Sequence, residues 1–320
     1  MAHRIGIIGL GVMGERMLRL LSQHASFSVA AAWDPDPRTA EKLGAVAPTA
    51  RFALNAADLA GDGAVDCVYV AAPPGCHLAY ADLAFDHGKA VFCEKPLAVD
   101  LAAAGASLQR VERERRVAAL NYPFASAPAV RAIASALRSG ELGSIERVDI
   151  EVAFARWPRG WQASARWLAE RHEGGFAREV LSHFVFLTQR LFGRLRLLDC
   201  RVDYPADGTA AETAVAARLV AGNVPVTLTG RVGGELDDDN HWILRGRQGA
   251  FELYDWYRLR RRINGGWLEV DFGDGTAREL SYRAQLDSLA AMLSGQPHHL
   301  ASFREGLDVQ ECIEAMLRGQ

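Results

Sequence analysis

The stretch Ile5-Gly6-Ile7-Ile8-Gly9-Leu10-Gly11-Val12-Met13-Gly14 decides the fold of this chain. It reads as strand, tight turn, helix. Ile5, Ile7 and Ile8 form a β-branched run suited to a strand buried on both faces, and Gly9, Gly11 and Gly14 follow in G-x-G-x-x-G spacing. The first glycine permits a sharp turn, the second lets the backbone approach a pyrophosphate, and the third lets the next helix lie close to the strand. Met13, Met17, Leu20 and Leu21 recur on one face of that helix, whose N-terminal amides and dipole favour an anion.

A glycine turn of this spacing also occurs without a ligand, so its surroundings decide its meaning. A second strand, Phe27 to Trp33, ends at Asp34, about 20 residues past the last glycine, where such folds place an acid on the adenosine ribose. A carboxylate there accepts hydrogen bonds from both ribose hydroxyls and repels a 2'-phosphate, which favours NAD. Arg38 is close enough in sequence to moderate the repulsion and keeps NADP open.

The chain has 320 residues, 49% of them hydrophobic, which suggests about two domains with sizeable cores. A formal charge of −3 gives no overall basic field, so neither nucleic acid nor an anionic membrane is expected as a main partner. No run approaches the roughly 18 apolar residues of a membrane span, and the strand and glycine turn begin at once, leaving no signal-peptide pattern. Five cysteines, Cys67, Cys76, Cys93, Cys200 and Cys312, form no C-x-x-C pair. A reducing cytoplasm fits them, and no bound metal is expected, since His298-His299 lack partners at ligand spacing.

Along the chain, Val65 to Ala71 is the next clear strand, and Pro73-Pro74-Gly75 forces a loop at its C-terminal end. That edge of a doubly wound sheet is where ligands bind. His77 opens a helix that stops near His87-Gly88, Ala90 to Glu94 is a further strand before Lys95-Pro96, and a helix from about Asp100 to Arg116 leads to Val117–Leu120 and Asn121. This alternation predicts a dinucleotide-binding domain over residues 1–121. Beyond it, Val148, Ile150, Val152 and Phe154 alternate with polar residues, and strands are expected at 195–204, 214–220, 224–232, 242–247, 251–256 and 267–270, with Asn264-Gly265 as a hairpin turn. Residues 122–320 should therefore form an α+β domain with a large, mostly antiparallel sheet and helices on one side. Leu286, Leu289, Ala290 and Leu293 share one face of a closing helix that can pack back on the first domain; Ser302 with Glu305 reads as the capping box of the last.

These residues together resemble the Gfo/Idh/MocA family of nicotinamide-dependent oxidoreductases over nearly the whole chain. The markers are Gly9, Gly11 and Gly14; Ala72-Pro73-Pro74-Gly75-Cys76-His77; Glu94-Lys95-Pro96; Asn121-Tyr122; and Gly174-Gly175 followed by Glu179 and His183. The resemblance implies cofactor contacts from Gly9, Gly11, Val12, Met13, Gly14, Asp34, Arg38, Ala72, Pro73, Pro74, His77, Glu94, Lys95 and Asn121. It places Lys95 beside the nicotinamide and makes His183 a proton donor or acceptor. Independently, a lysine has a pKa of about 10.4 and needs burial or a neighbouring cation to reach the roughly 7 to 8 of a general base. Glu179 stands where the family usually has aspartate, and Pro123-Phe124 where it often has arginine. Both departures touch the expected substrate pocket. His77 is read as organising its turn more than as catalytic.

Arg156, Arg159, Arg166, Arg171 and Arg178 crowd the approach to Gly174-Gly175 and interleave with Trp157, Trp161 and Trp167. Guanidinium forks bind carboxylate or phosphate and aromatics stack on sugar faces, so an anionic or polyhydroxylated substrate is one reading; solvated charges and an oligomer contact are the other. The expected substrate contacts are Lys95, Tyr122, Arg156, Arg159, Trp161, Glu179 and His183, with Lys95, His183 and Glu179 as the catalytic group. The expected activity is hydride transfer between NAD(P) and a carbinol or carbonyl carbon of a sugar, cyclitol or related small substrate. The rivals are a nucleotide-sensing regulator without turnover and a reductase acting on an imine or unsaturated ring. A broad apolar face on the second sheet would support a homodimer or homotetramer.

Overall fold

The computed structural model describes residues 2–163, 165–263 and 265–319. The chain divides into two compact units, Met1–Pro123 with Tyr282–Leu307, and Phe124–Ser281 with Asp308–Gln320. The span expected as one domain from residue 122 onward is thus interrupted, because Tyr282–Leu307 belongs with the first unit.

In the first unit, strands β1 (His3–Ile8), β2 (Phe27–Trp33), β3 (Arg51–Phe52), β4 (Cys67–Val70), β5 (Ala90–Glu94) and β6 (Ala118–Asn121) form a six-stranded sheet in the order β3-β2-β1-β4-β5-β6. Every pairing is parallel. Ile5, Ile7 and Ile8 are at most 1% exposed, as a strand covered on both faces requires. Gly6 has its own reason: a Cβ there would lie 2.8 Å from Leu59 Cδ2, so the glycine admits helix α3 (Ala56–Ala60) against the strand. Helix α1 (Val12–Gln23) buries Met17, Leu18 and Leu21, and Leu286, Leu289 and Met292 complete the same core. Helices α2 (Ala40–Val46), α4 (His77–Asp86) and α5 (Leu101–Glu114) supply the other connections. Asp100 caps α5 by accepting the Ala103 N–H at 2.8 Å. Because all strands run one way, the residues following β1, β2, β4, β5 and β6 emerge along a single sheet edge.

The second unit carries helix α6 (Pro128–Ser139), strand β7 (Ile145–Phe154), helix α7 (Ser182–Phe192) and strands β8 (Leu195–Asp203), β9 (Ala214–Ala221), β10 (Val224–Val232), β11 (Asp239–Gly246), β12 (Gly249–Tyr254), β13 (Arg258–Ile263) and β14 (Gly266–Glu269). The sheet order is β14-β13-β12-β11-β7-β10-β9-β8. Only the central β7–β10 pair is parallel among the pairings described. Val148, Ile150, Val152 and Phe154 are buried, and the alternation continues in β9 through Val215, Ala217, Leu219 and Ala221. Asn264, expected in the hairpin turn, lies outside the described residues; β13 and β14 flank it as an antiparallel pair. Strand β13, Arg-Leu-Arg-Arg-Arg-Ile, was not anticipated. Helices α8 (Ala277–Leu293) and α9 (Phe303–Arg318) close the chain, and Ser302 and Glu305 exchange the two hydrogen bonds of a capping box at 2.9 and 3.2 Å.

The expectation of a broad apolar face open to a partner needs correction. One face of the second sheet is apolar and packs with α7. The other is polar: Asp149 accepts from Arg147, Arg245 and Thr227, and Glu252 from His241 and Arg260. Burial opposes the Asp149 charge, but its hydrogen bonds from Thr227, Arg245 and Arg147 prevail and hold it below the usual carboxylate range.

Candidate functional site

The glycine turn is built as its spacing requires. Gly9 has φ +95°, and a Cβ there would meet Ala71 O at 2.6 Å; a Cβ on Gly14 would lie 1.9 Å from Gly9 O. These two glycines make the turn and the close helix contact. Gly11 differs, because a Cβ on it would meet nothing within 4 Å. The space in front of the α1 N-terminus is therefore open, as an approaching pyrophosphate needs. Asp34 braces the turn, accepting Leu10 N–H through Oδ2 at 2.7 Å and Asp36 N–H through Oδ1 at 2.8 Å. Lys42 Nζ donates to Leu10 O at 3.1 Å and pairs with Glu15 at 3.0 Å, a support that no sequence pattern announced. Arg38 turns aside: its guanidinium grips Asp36 at 2.8 and 2.9 Å and is otherwise exposed.

At the ends of β4, β5 and β6 lies a buried polar network. Tyr69 donates its hydroxyl to Glu94 Oε1, Asn121 Nδ2 donates to the same oxygen at 2.6 Å, and Gln285 Nε2 donates to Asn121 Oδ1 at 2.5 Å. Burial and the adjacent Glu94 raise the Tyr69 pKa well above its ordinary value, so the phenol stays protonated. The network fixes the strand end from which Lys95, 9% exposed, continues. His77 fixes the other side: Nδ1 lies 2.7 Å from Pro96 O and Nε2 2.8 Å from Ala72 O. Burial lowers its pKa, the two carbonyls oppose that shift, and the Lys95 charge adds to it. A neutral ring donates to one carbonyl at a time. The Nδ1–H tautomer ties the end of the Pro73-Pro74 loop to Pro96, just after Lys95, and the Nε2–H tautomer instead closes that loop on Ala72. Tyr122, expected to touch substrate, is 1% exposed in the buried interior.

In the second unit, Gly174 and Gly175 have steric reasons to be glycine. A Cβ on Gly174 would strike Trp167 O at 2.3 Å; one on Gly175, at φ +96°, would strike Glu212 Oε2 at 2.2 Å. Glu212, absent from the sequence expectations, accepts the Ala177 N–H at 2.7 Å. It thereby holds the start of a π-helical turn, Ala177–Leu181, which runs directly into α7. Glu179 lies on that turn and His183 one residue into α7. His183 is 9% exposed and packs edge-on against Phe124 at 5.8 Å and Trp256 at 5.4 Å between centroids.

The arginine cluster separates into distinct roles. Arg178 binds Glu314 at 2.6 and 3.0 Å and the carbonyls of Arg171 and Gly174 at 2.9 Å, a structural clamp. Arg171 lies 3.7 Å from the centre of the Tyr204 ring. Arg156 and Arg166 remain exposed. Arg159, expected to meet substrate, is only 5% exposed: Nη1 is 2.6 Å from Asp238, Nε donates to Gln162 at 2.9 Å, and Trp157, Trp161 and Trp256 surround its guanidinium at 4.7–5.6 Å. Gln162 in turn donates to Glu179 Oε1 at 3.1 Å, with Arg159 Nη2 at 3.7 Å. Asp238 and Trp256 reach Arg159 through pairing between distant segments, which local spacing does not announce, whereas Gln162 is three residues along the same loop. Among the described residues no His, Cys, Asp or Glu cluster has metal-holding geometry, and no helix is long and apolar enough to cross a membrane.

A parallel sheet with a glycine cradle at the carboxyl edge of β1 and an acid after β2 defines a dinucleotide-binding Rossmann unit. The chain belongs to the Gfo/Idh/MocA family: residues 3–122 match its oxidoreductase NAD-binding Rossmann fold, and residues 130–252 its C-terminal domain. NAD is the cofactor of this fold, and the open space before Gly11 with Asp34 beyond it suits that group. An inositol 2-dehydrogenase of Acidothermus cellulolyticus is 39% identical over 145 residues, 44% of this chain and 42% of that protein. One from Saccharopolyspora erythraea is 36% identical over 149 residues, 45% and 43% of the two chains. This chain thus spans less than half the length of these curated relatives. Among solved structures, an oxidoreductase from Agrobacterium radiobacter in complex with NAD+, L-tartaric acid and magnesium shares the fold with TM-score 0.85 and 19% identity, covering 100% of this chain and 96% of that one. An oxidoreductase from Thermotoga maritima does so with TM-score 0.84 and 18% identity, covering 100% and 97%.

Proposed function

We propose that this protein is an NAD(P)-dependent dehydrogenase or reductase acting at a carbinol or carbonyl carbon of a sugar, cyclitol or related small polar substrate. The observation that carries the proposal is the carboxyl edge of the parallel sheet, where the Gly9–Gly14 cradle, Asp34, the Pro73-Pro74 loop and Lys95 all emerge. The inositol 2-dehydrogenase relatives support a polyhydroxylated substrate. Gly9, Gly11, Val12, Met13 and Gly14 would hold the pyrophosphate and Asp34 the adenosine ribose; Ala72, Pro73, Pro74, Glu94, Lys95 and Asn121 would frame the nicotinamide end. Bound NAD supplies the hydride acceptor, and its reduced form the donor.

As hydride leaves a carbinol carbon, the hydroxyl proton needs a base. In this proposal the Lys95 ammonium orients the substrate oxygen and the His183 imidazole takes the proton, returning it in the reverse direction. Glu179 orients substrate or tunes His183, and exposed Arg156 and Trp161 contact its outer part. The protein would act in the cytoplasm on a small molecule, as a homodimer or homotetramer. The test is nicotinamide absorbance with NAD and NADP against polyols, sugars and hydroxy acids. Turnover lost by at least about 100-fold in both Lys95→Ala and His183→Asn is expected. Full turnover in Lys95→Ala would defeat the assignment, and cofactor binding with no turnover on any substrate would favour a sensor.

A further inference from the structure

Trp256 is held with unusual care for a residue at the end of a strand. It and Asp255 have φ of 66° and 43°, a left-handed region that bulky side chains rarely occupy. The bend is fixed from two sides: Asn240 Oδ1 accepts the Trp256 backbone N–H at 2.8 Å, and Asp238 Oδ2 accepts its indole N–H at 2.9 Å. Asn240 Nδ2 also donates to Asp238 Oδ1 at 3.1 Å, so both anchors belong to one unit. The indole held this way has two neighbours of consequence. His183 stands perpendicular to it at 88° and 5.4 Å between centroids, and the Arg159 guanidinium carbon lies 5.6 Å from its ring centre.

Asp238 Oδ2 therefore receives both the Trp256 indole N–H and Arg159 Nη1. Arg159 continues through Gln162 to Glu179, and Trp256 continues to His183. Glu179 on the π-helical turn and His183 four residues on in α7 are thus joined by a second route through the loop after β7, the residue before β11 and the turn after β12. We propose that Trp256, anchored by Asp238 and Asn240, is a positioning residue that sets the imidazole orientation of His183 and couples it to Glu179 through Arg159. This rests on reading His183 as the proton carrier. A perpendicular aromatic pair has a preferred geometry, and an imidazole walled on one side by Trp256 and on another by Phe124 has few rotamers left. Misplacement of a reacting group by about 1 Å can cost about 100-fold in rate.

The experiment uses the full chain. Trp256→Leu removes the aromatic wall and the indole donor but keeps apolar bulk; Trp256→Phe restores a ring without the donor. The His183 ring nitrogens are followed by long-range proton–nitrogen correlation in the cofactor-free protein, identified by their loss in His183→Asn, and kcat and KM are measured in parallel. Trp256→Leu is expected to change the His183 tautomer ratio and to lower kcat by about 10- to 100-fold with KM within about threefold, while Trp256→Phe recovers most of both. Unchanged His183 resonances in a folded Trp256→Leu protein would overturn the proposal. If that variant does not fold, Asp238→Asn, which keeps an acceptor for the indole but removes the charge facing Arg159, must shift the same resonances or the coupling is refuted. The nuclear resonance reading does not require turnover, so it stands apart from failure of the proposed activity.

Discussion

Gly11 and Gly14 share a side chain, a single hydrogen, and need it for opposite reasons. At Gly14 the hydrogen is required by the fold, since a methyl group would sit 1.9 Å from Gly9 O; at Gly11 nothing in the protein occupies the space. Gly14→Ala should therefore lower stability by about 1–3 kcal/mol or more, as overpacking does, visible as a reduced melting temperature without any ligand. Gly11→Ala should cost no more than about 1 kcal/mol of stability at this helix N-cap but weaken NAD binding by about tenfold or more, because it fills the approach to the backbone amides. Calorimetric titration and thermal melts on both variants separate the effects; wild-type NAD affinity in Gly11→Ala would remove the open cradle as the pyrophosphate site. In the proposed function Asp34 faces the adenosine ribose, and the choice between NAD and NADP is its test. Arg38 is committed to Asp36, so its charge is already paired and offsets less of the repulsion of a 2'-phosphate. Asp34→Ser should raise the NADP-to-NAD preference about tenfold or more relative to wild type, and equal Kd ratios in the two proteins would show that selectivity lies elsewhere.

At the scale of elements, the helix bearing Glu179 and His183 depends on an acid that local sequence did not reveal. Glu212 is 1% exposed, accepts the Ala177 N–H, and fills the space left by Gly175. Burial raises its pKa above the ordinary 4.5, against the opposing hydrogen bonds from Ala177 and its own backbone and the Arg178 charge. The native state thus binds this proton more tightly than the unfolded chain, so its contribution to stability is complete below about 4.5 and declines as pH rises toward the native pKa. Glu212→Gln keeps an acceptor for Ala177 and abolishes that titration. Urea unfolding at pH 4 and pH 7 should show the variant gaining on wild type at the higher pH; an identical difference at both values would mean that folding does not raise the Glu212 pKa. Strand β13 shows the complementary limit of sequence patterns. Its four arginines read as a solvated stretch, yet Arg260 reaches Glu252 and lies 5.0 Å from the Trp267 ring centre, and Leu259 buries the other face. The partners across the ladder make it a strand.

For the whole molecule, the parallel sheet was legible because each of its longer strands is a short apolar run closed by a turn residue, and its ligand edge follows from direction alone. The second sheet was legible in the alternation of β7, β9 and β10. What escaped were contacts between residues far apart in sequence: Gln285 with Asn121, Asp238 with Arg159, Glu212 with Ala177. No periodicity encodes these pairs. The distribution of polarity over the second sheet escaped too, and it changes how an oligomer must be argued. Its open face presents Ala216, Thr229 and Glu151 side by side on β9, β10 and β7, small or charged residues rather than a hydrophobic plate. An interface there would be flat and polar, resting on close approach of small side chains and on charge complementarity, and so sensitive to bulk. Thr229→Arg places a long side chain at its centre, beside Glu151, which can pair with it within the same chain and spare the fold. Light scattering should give a dimer or tetramer for the wild type and a smaller mass for the variant, with unchanged secondary structure. A variant that keeps the wild-type mass places any oligomer contact away from this face, and a monomeric wild type disposes of the oligomer altogether.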